Sequence, residues 1–207
     1  TEAVAVDAAE AVAAASSAPG KVATLILPAD VSWGEGAEPA APVEPTPAAI
    51  VDAASIEAAA ETIRSGAKCV LLLGSLGVHE RALLAASRIE AANTNVTLFA
   101  ETFPARIERG AGVPAINRVG YLSEMVQAQF VEVENLILAG TKSPTSFFAY
   151  PGKPGDLVPE GCAVSTLAGI ADDIADALER LADEIASGVQ PVLQEAIAGE
   201  VPEGELN

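Results

Sequence analysis

The chain is expected to fold as an α/β protein, a Rossmann-like parallel sheet flanked by helices, and three patterns predict it. Short apolar runs alternate with stretches whose apolar residues fall at helical spacing. Cys69–Leu73 is apolar throughout, the pattern of a parallel strand covered on both faces. Half of the residues are hydrophobic, so a substantial core can be buried. Strands alternating with helices in this rhythm imply right-handed crossovers within one sheet.

Val4–Ser16 is rich in Ala and Val with acids along one side, which suits a helix packed closely on a sheet. Ala18-Pro19-Gly20 stops it. Val22–Leu27 then reads as a buried strand running into Pro28-Ala29-Asp30-Val31-Ser32-Trp33. One helix and one strand cannot form a core of their own, so residues 1–33 read as the end of a preceding domain whose remainder is absent. Their apolar face should dock on the rest of the chain or pair with another copy. Gly34–Pro47 holds four prolines among acids and small residues, and residues 34–54 read as an extended linker.

The main unit is expected over residues 55–187. Ser55 is a plausible N-cap for a helix over Ile56–Arg64, stopped at Ser65-Gly66. The strand Cys69–Leu73 follows, then the turn Gly74-Ser75-Leu76-Gly77 and a helix over His79–Ala92. Val96–Ala100 is the next strand, and Phe103–Gly120 is expected to be irregular. A helix over Leu122–Phe130 leads to a strand at Asn135–Ala139, a loop over Ser143–Gly161 and a strand at Ala163–Leu167. A long amphipathic helix over Ile170–Ala186 buries Ile174, Ala177, Leu178, Leu181 and Ile185. Residues 188–207, with a short helix over Val192–Ala198, read as a connector leading onward.

Composition narrows the function. A net charge of −18 argues against nucleic acid and anionic membrane surfaces, because phosphate binding needs clustered Lys and Arg. Aromatic residues make up only 4%, so packing is expected to rest on aliphatic side chains. No apolar run approaches the roughly 20 residues needed to span a bilayer. The N-terminal stretch carries Glu2, Asp7 and Glu10 rather than a basic leader, and Cys69 and Cys162 lack metal or redox spacing. A cytoplasmic protein with two reduced thiols is expected.

Ligands of open parallel sheets bind beyond the carboxyl ends of the strands. Three loops lie there: Gly74–Gly77, Glu101–Pro104 and Gly140–Pro144. The candidate ligand-binding residues are Gly74, Ser75, Gly77, Thr102, Gly140 and Lys142. Glycines at the start of a helix let backbone N–H groups approach a phosphate, and Lys142 could neutralise one. The same glycines also serve a tight turn, and Lys142 a solvated loop. The full GxGxxG spacing is missing. His79 reads as an exposed or capping residue, and Arg106 and Arg109 as ion-pair partners or an anion grip. There is no P-loop, HExxH or GxSxG, and no paired-carboxylate site can be placed. No catalytic residue and no metal ligand is assigned.

With these residues placed, the chain resembles a thiamine diphosphate-dependent enzyme of the acetolactate synthase large-subunit type. KVATLILPADV (21–31) is similar to the end of that family's pyrimidine-binding domain. VLLLGSLGVHERALLAASRIEAA (70–92), LFAETFPARIERGAG (98–112) and LILAGTKSPTSFFAYPGKPGDLVPEGC (136–162) are similar to its central domain. PVLQEAIAGEVPEGELN (191–207) is similar to the connector into the pyrophosphate-binding domain. The resemblance implies a parent lyase or transferase acting on 2-oxo acids with thiamine diphosphate and magnesium, partnered by its own pyrimidine- and pyrophosphate-binding domains. The activating glutamate has no counterpart here, and Gly155-Asp156-Leu157 is not the family's Gly-Asp-Gly motif. The chain alone is therefore expected to be inactive and to hold neither group. FAD or ADP at the central domain's strand ends stays open, as in some relatives. A free-standing FAD-, ADP- or NAD-binding module and a homodimeric scaffold are the alternatives.

Overall fold

In the computed structural model, residues 2–36, 38–149, 151–197, 199 and 204 are described. Their centre is a five-stranded parallel sheet of order β3-β2-β1-β4-β5. The strands are β1 (Cys69–Leu73), β2 (Val96–Ala100), β3 (Asn117–Arg118), β4 (Asn135–Ala139) and β5 (Ala163–Ala168). All four pairings are parallel, with Leu71 opposite Leu98 on one side and Ile137 on the other. The expected α/β class is the one observed.

Alternation along each strand divides the core in two. Cys69, Leu71, Leu73, Leu98 and Ile137 face a cluster built with helices α3 (Ala53–Arg64), α4 (Glu80–Ala92) and α6 (Ile174–Ile185). Val70, Leu72, Phe99, Leu136 and Leu138 face a smaller cluster with Val126 of α5 (Ser123–Gln129), Phe130 and Leu157. Small residues let α4 and α6 approach closely: Ala82 and Ala86 on one, Ala177 and Ala182 on the other, are all fully buried. Ion pairs lace the rims of that contact. Arg81 holds Glu179 through two bonds of 2.7 and 2.6 Å, Arg88 holds Asp183 at 2.9 Å, and Arg64 of α3 holds Glu184 at 2.8 Å. The amphipathic stripe expected on α6 is buried at Ile174, Ala177, Leu178 and Leu181, and Ile185 packs against the same cluster.

Several boundaries moved for local reasons. α3 begins at Ala53 because Asp52 is its N-cap, accepting the Ser55 N–H at 2.7 Å, rather than Ser55 itself. α6 begins at Ile174, four residues later than expected, because two aspartates fold the preceding turn. Asp172 accepts the Gly169 N–H at 2.6 Å and Asp173 caps the Asp176 N–H at 2.9 Å. A 3-10 turn over Ser75–Val78 separates β1 from α4. β3 lies inside the stretch expected to be irregular, where two exposed polar residues give no periodic signal.

The N-terminal piece departs most from expectation. α1 (Val4–Ser16) forms as expected, but Val22–Leu27 is not a strand. It runs outside the sheet, with Val22 93% and Ile26 82% exposed. An apolar, β-prone sequence supplies one half of a ladder, and the other half must come from a neighbouring strand. After it, Ala29–Trp33 forms a short helix, α2. Docking occurs instead at the end of α1. The Thr46 N–H donates to Ser17 Oγ at 2.9 Å, and the Ala18 N–H donates to the Thr46 carbonyl at 3.2 Å. At the other end the helix expected at Val192–Ala198 is absent over 192–197, and Ala198 lies outside the described residues. That segment is a strap, its Val192 N–H bound to Ser87 Oγ at 3.0 Å and its Gln194 N–H to the Val113 carbonyl at 3.2 Å.

Two glycines pinch the carboxyl ends of β1 and β4 together. Gly140 has φ +72°, and a Cβ there would lie 2.6 Å from the Gly74 carbonyl oxygen and 2.4 Å from Ile174 Cδ1. Gly188 has nearly the same φ, +75°, with nothing within 4 Å of such an atom. Gly188→Ala should therefore show backbone strain alone, about 1–2 kcal/mol. Gly140→Ala should add overpacking and lose roughly 2–5 kcal/mol in urea denaturation. Equal losses would refute the pinch. A second expectation concerns acid. The Ser55 amide hydrogen bond, the largest cause, holds the Asp52 carboxyl below the usual carboxylate range. Such a group stabilises the fold above its unfolded pKa, and that contribution is lost as pH falls through the lower folded value. Asp52→Asn keeps a cap that cannot titrate, so its melting temperature should fall less steeply between about pH 4 and 2 than that of the parent.

Candidate functional site

β1 is the strand at which the strand order reverses, with β2 on one side and β4 on the other. Crevices in open parallel sheets form beyond such a strand's carboxyl end. The backbone ladder continues into the turns here. The Glu101 N–H donates to the Leu73 carbonyl at 2.8 Å, Gly74 N–H to Ala139 at 3.0 Å, and Gly140 N–H to Ala168 at 2.9 Å. These bonds fix the starts of all three loops singled out in the sequence.

Glu101 closes the floor. Its Oε2 accepts from Thr141 Oγ1 at 2.8 Å, and its Oε1 lies 3.4 Å from the donating Ser75 N–H. A Cβ on Gly74 would lie 2.7 Å from both Glu101 Cδ and Thr141 Cβ, so glycine is required beneath the pair. Ser75 takes φ +48°, a left-handed conformation uncommon for a residue other than glycine. One turn on, the Glu80 N–H at the start of α4 donates to Glu108 Oε2 at 2.5 Å. His79 is the N-cap residue of α4, and its Nδ1 lies 3.6 Å from Glu108 Oε1. Thus the two backbone sites that a phosphate would seek, the turn after β1 and the helix N-terminus, already hold internal carboxylates.

Beyond Glu101 lies a cavity of about 380 Å³. Ser75, Thr102, Gly140 and Lys142 all line it, so the fold gathers four of the six candidate residues. Gly74 lies just beneath, under Glu101 and Thr141. Gly77 faces the core instead. A Cβ there would meet the Ala139 carbonyl and Ile174 Cγ2 at 3.2 Å, which makes it a packing glycine. The cavity's apolar wall is Leu72, Val119 and Leu157, on the thinly covered side of the sheet opposite α3, α4 and α6. Lys68 and Lys153 are paired with Glu132 and Glu124, whereas Lys142 has no ion-pair partner among the described residues. Arg106 makes an ion pair with Glu108 at 3.2 Å.

Sequence reasoning missed the aromatic rim. Phe103, which lines the cavity, stands edge-on to Tyr121 with centroids 5.7 Å apart and lies 5.4 Å from Phe147. Phe147 in turn meets Phe148 at 4.8 Å. Phe103 and Phe147 are 59% and 61% exposed, so a sequence poor in aromatics displays them together on one surface. Phe147 and Phe148 are adjacent in sequence. The other rings are brought in from distant loops.

Among the described residues, no cluster of three or more His, Cys, Asp or Glu could hold a metal ion. Asp156 Oδ1 accepts the Val158 N–H at 3.0 Å within its own loop. The Cys69 thiol, buried in β1, is pushed up to about 12 by desolvation and is not a nucleophile. Burial also raises the pKa of Cys162. No described helix is long and apolar enough to cross a membrane.

No protein-family model matches the chain. It is 47% identical over 199 residues to the Mycobacterium tuberculosis protein named "Putative acetolactate synthase large subunit IlvX", covering 96% of this chain and 38% of that protein. Among solved structures, a "putative thiamin diphosphate-dependent enzyme" from Mycobacterium smegmatis matches with TM-score 0.67 and 21% identity, over 93% of this chain and 40% of the other. The thiamine diphosphate-dependent 4-hydroxybenzoylformate decarboxylase of Rhodococcus jostii matches with TM-score 0.59 and 16% identity, over 97% and 41%. At those identities the two structures speak to fold alone. The chain spans about two fifths of the curated relative it matches, and over that span it is related in sequence to an acetolactate synthase large-subunit-like protein and shares the fold of thiamine diphosphate-dependent enzymes.

Proposed function

We propose that this chain forms the central, non-catalytic segment of a larger acetolactate synthase-like enzyme, a thiamine diphosphate-dependent 2-oxo acid decarboxylase or carboligase. The observation that carries the reading is the match along 96% of this chain to only 38% of its relative. In this reading residues 1–33 end a pyrimidine-binding domain, 34–54 link it to the central domain at 55–187, and 188–207 lead toward a pyrophosphate-binding domain. The exposed aliphatic side chains of Val22 and Ile26 support it, since a missing sheet would supply their ladder and their cover. The reading includes a cytoplasmic location, in keeping with two free thiols.

The residues present do not fit thiamine diphosphate and its magnesium. Asp156 is spent within its own loop, and no acidic cluster among the described residues converges on a point. No step of the parent's reaction is assigned to this chain. Nor do the strand ends fit the diphosphate of FAD or ADP, because the Glu101 carboxylate covers Gly74 and Glu108 takes the N-terminus of α4. The role left is to space and orient two catalytic neighbours.

The chain incubated with pyruvate, thiamine diphosphate and magnesium should release no carbon dioxide above the buffer control. Turnover would overturn the non-catalytic assignment. Val22→Asp with Ile26→Asp should leave the stability of this chain within about 0.5 kcal/mol of the parent, as expected for exposed positions. A larger loss would mean that these side chains are already covered.

A further inference from the structure

We propose that the cavity at the strand ends is a binding site for a planar aromatic monocarboxylate, with the ring against Phe103 and the carboxylate on Lys142. The site stands on its own geometry and does not depend on the parent-enzyme reading.

Shape and lining come first. At about 380 Å³ the cavity is of a size with small-molecule sites. Its wall of Leu72, Val119 and Leu157 belongs to the buried second core cluster, so an apolar ligand would extend packing that already exists. Ile170 adds a further apolar contact at its edge, and Thr102 Oγ1, which donates to the Gly120 carbonyl at 3.4 Å, can still accept from a ring substituent.

The rim selects a ring. Phe103 is 59% exposed, yet its orientation is set by contacts with Tyr121 and Phe147. A phenyl group held upright at a cavity mouth has little rotamer freedom left to lose on binding. Aromatic partners gain offset or edge contacts worth more than their buried area alone. Exposed aromatics gathered on an otherwise acidic surface call for a partner.

Charge sets the count of negative groups. Lys142 is exposed, lines the cavity and has no ion-pair partner among the described residues. A carboxylate placed there would make a charge-assisted hydrogen bond. Glu101 sits on the same floor with its oxygens already facing Thr141 and Ser75, so it offers little to a ligand's donor. Its charge, and the net −18 of the chain, oppose a second or third negative group. One anionic group is matched and a diphosphate is not.

The test titrates 1-naphthoate, benzoate, benzylamine, ADP and FAD into the full chain by calorimetry, with ligand-observed NMR for weak binding. Saturable binding of 1-naphthoate is expected, weakened about tenfold by Lys142→Ala and retained by Lys142→Arg. Phe103→Ala should weaken it about fivefold. Both side chains are exposed, and thermal melts of the variants check that the fold is kept. The proposal is overturned by no saturable binding of either carboxylate up to about 10 mM. It is overturned equally by affinity unchanged in both alanine variants, or by benzylamine, ADP or FAD binding more tightly than 1-naphthoate.

Discussion

The burial of β1 on every side is the constraint around which the rest is arranged. Cys69 to Leu73 are all buried, with a parallel neighbour on each edge and an apolar layer on each face. Such a strand can satisfy its backbone only through β2 and β4, and its side chains only through the helical layers. The helices of the thicker layer approach one another through alanines, and their charged rims are paired across α6. The reversal of strand order at β1 also creates a place where loops from both sides meet.

That place has been filled from within. Where a dinucleotide fold would present free N–H groups, Glu101 and Glu108 have taken them. Two residues do this, one carboxylate at the end of β2 and another in the loop after it, and they put negative charge where a phosphate would sit. A glycine turn that looks made for phosphate becomes a turn capped by an anion. What remains open is the apolar space beside it, on the side of the sheet that α5 and the loop around Leu157 cover thinly. The uneven covering of the sheet is thus what leaves a cavity.

The N-terminal segment stands apart from that sheet. Residues 22–27, apolar and strand-prone in sequence, lie outside the sheet and pair with no strand among the described residues. The end of α1 is tied to the linker by hydrogen bonds at Ser17 and Thr46, and Pro19 reaches the cavity rim. The exposed N-terminal segment and a ligand-sized cavity are therefore neighbours.

The sequence alone determined the α/β class, the exact spans of β1, β2 and β4, the helix at α1 and the buried stripe of α6, because each follows from local periodicity and uninterrupted apolar runs. It also placed Ser75, Thr102, Gly140 and Lys142 in loops at one end of the sheet. Only the tertiary structure decided that Gly77 packs inward, that Glu101 sits over Gly74, that Asn117–Arg118 pairs with β2 and that four aromatic side chains meet on one rim. Those outcomes depend on contacts between residues tens of positions apart, and neither helical nor strand periodicity carries information about which distant loops will meet.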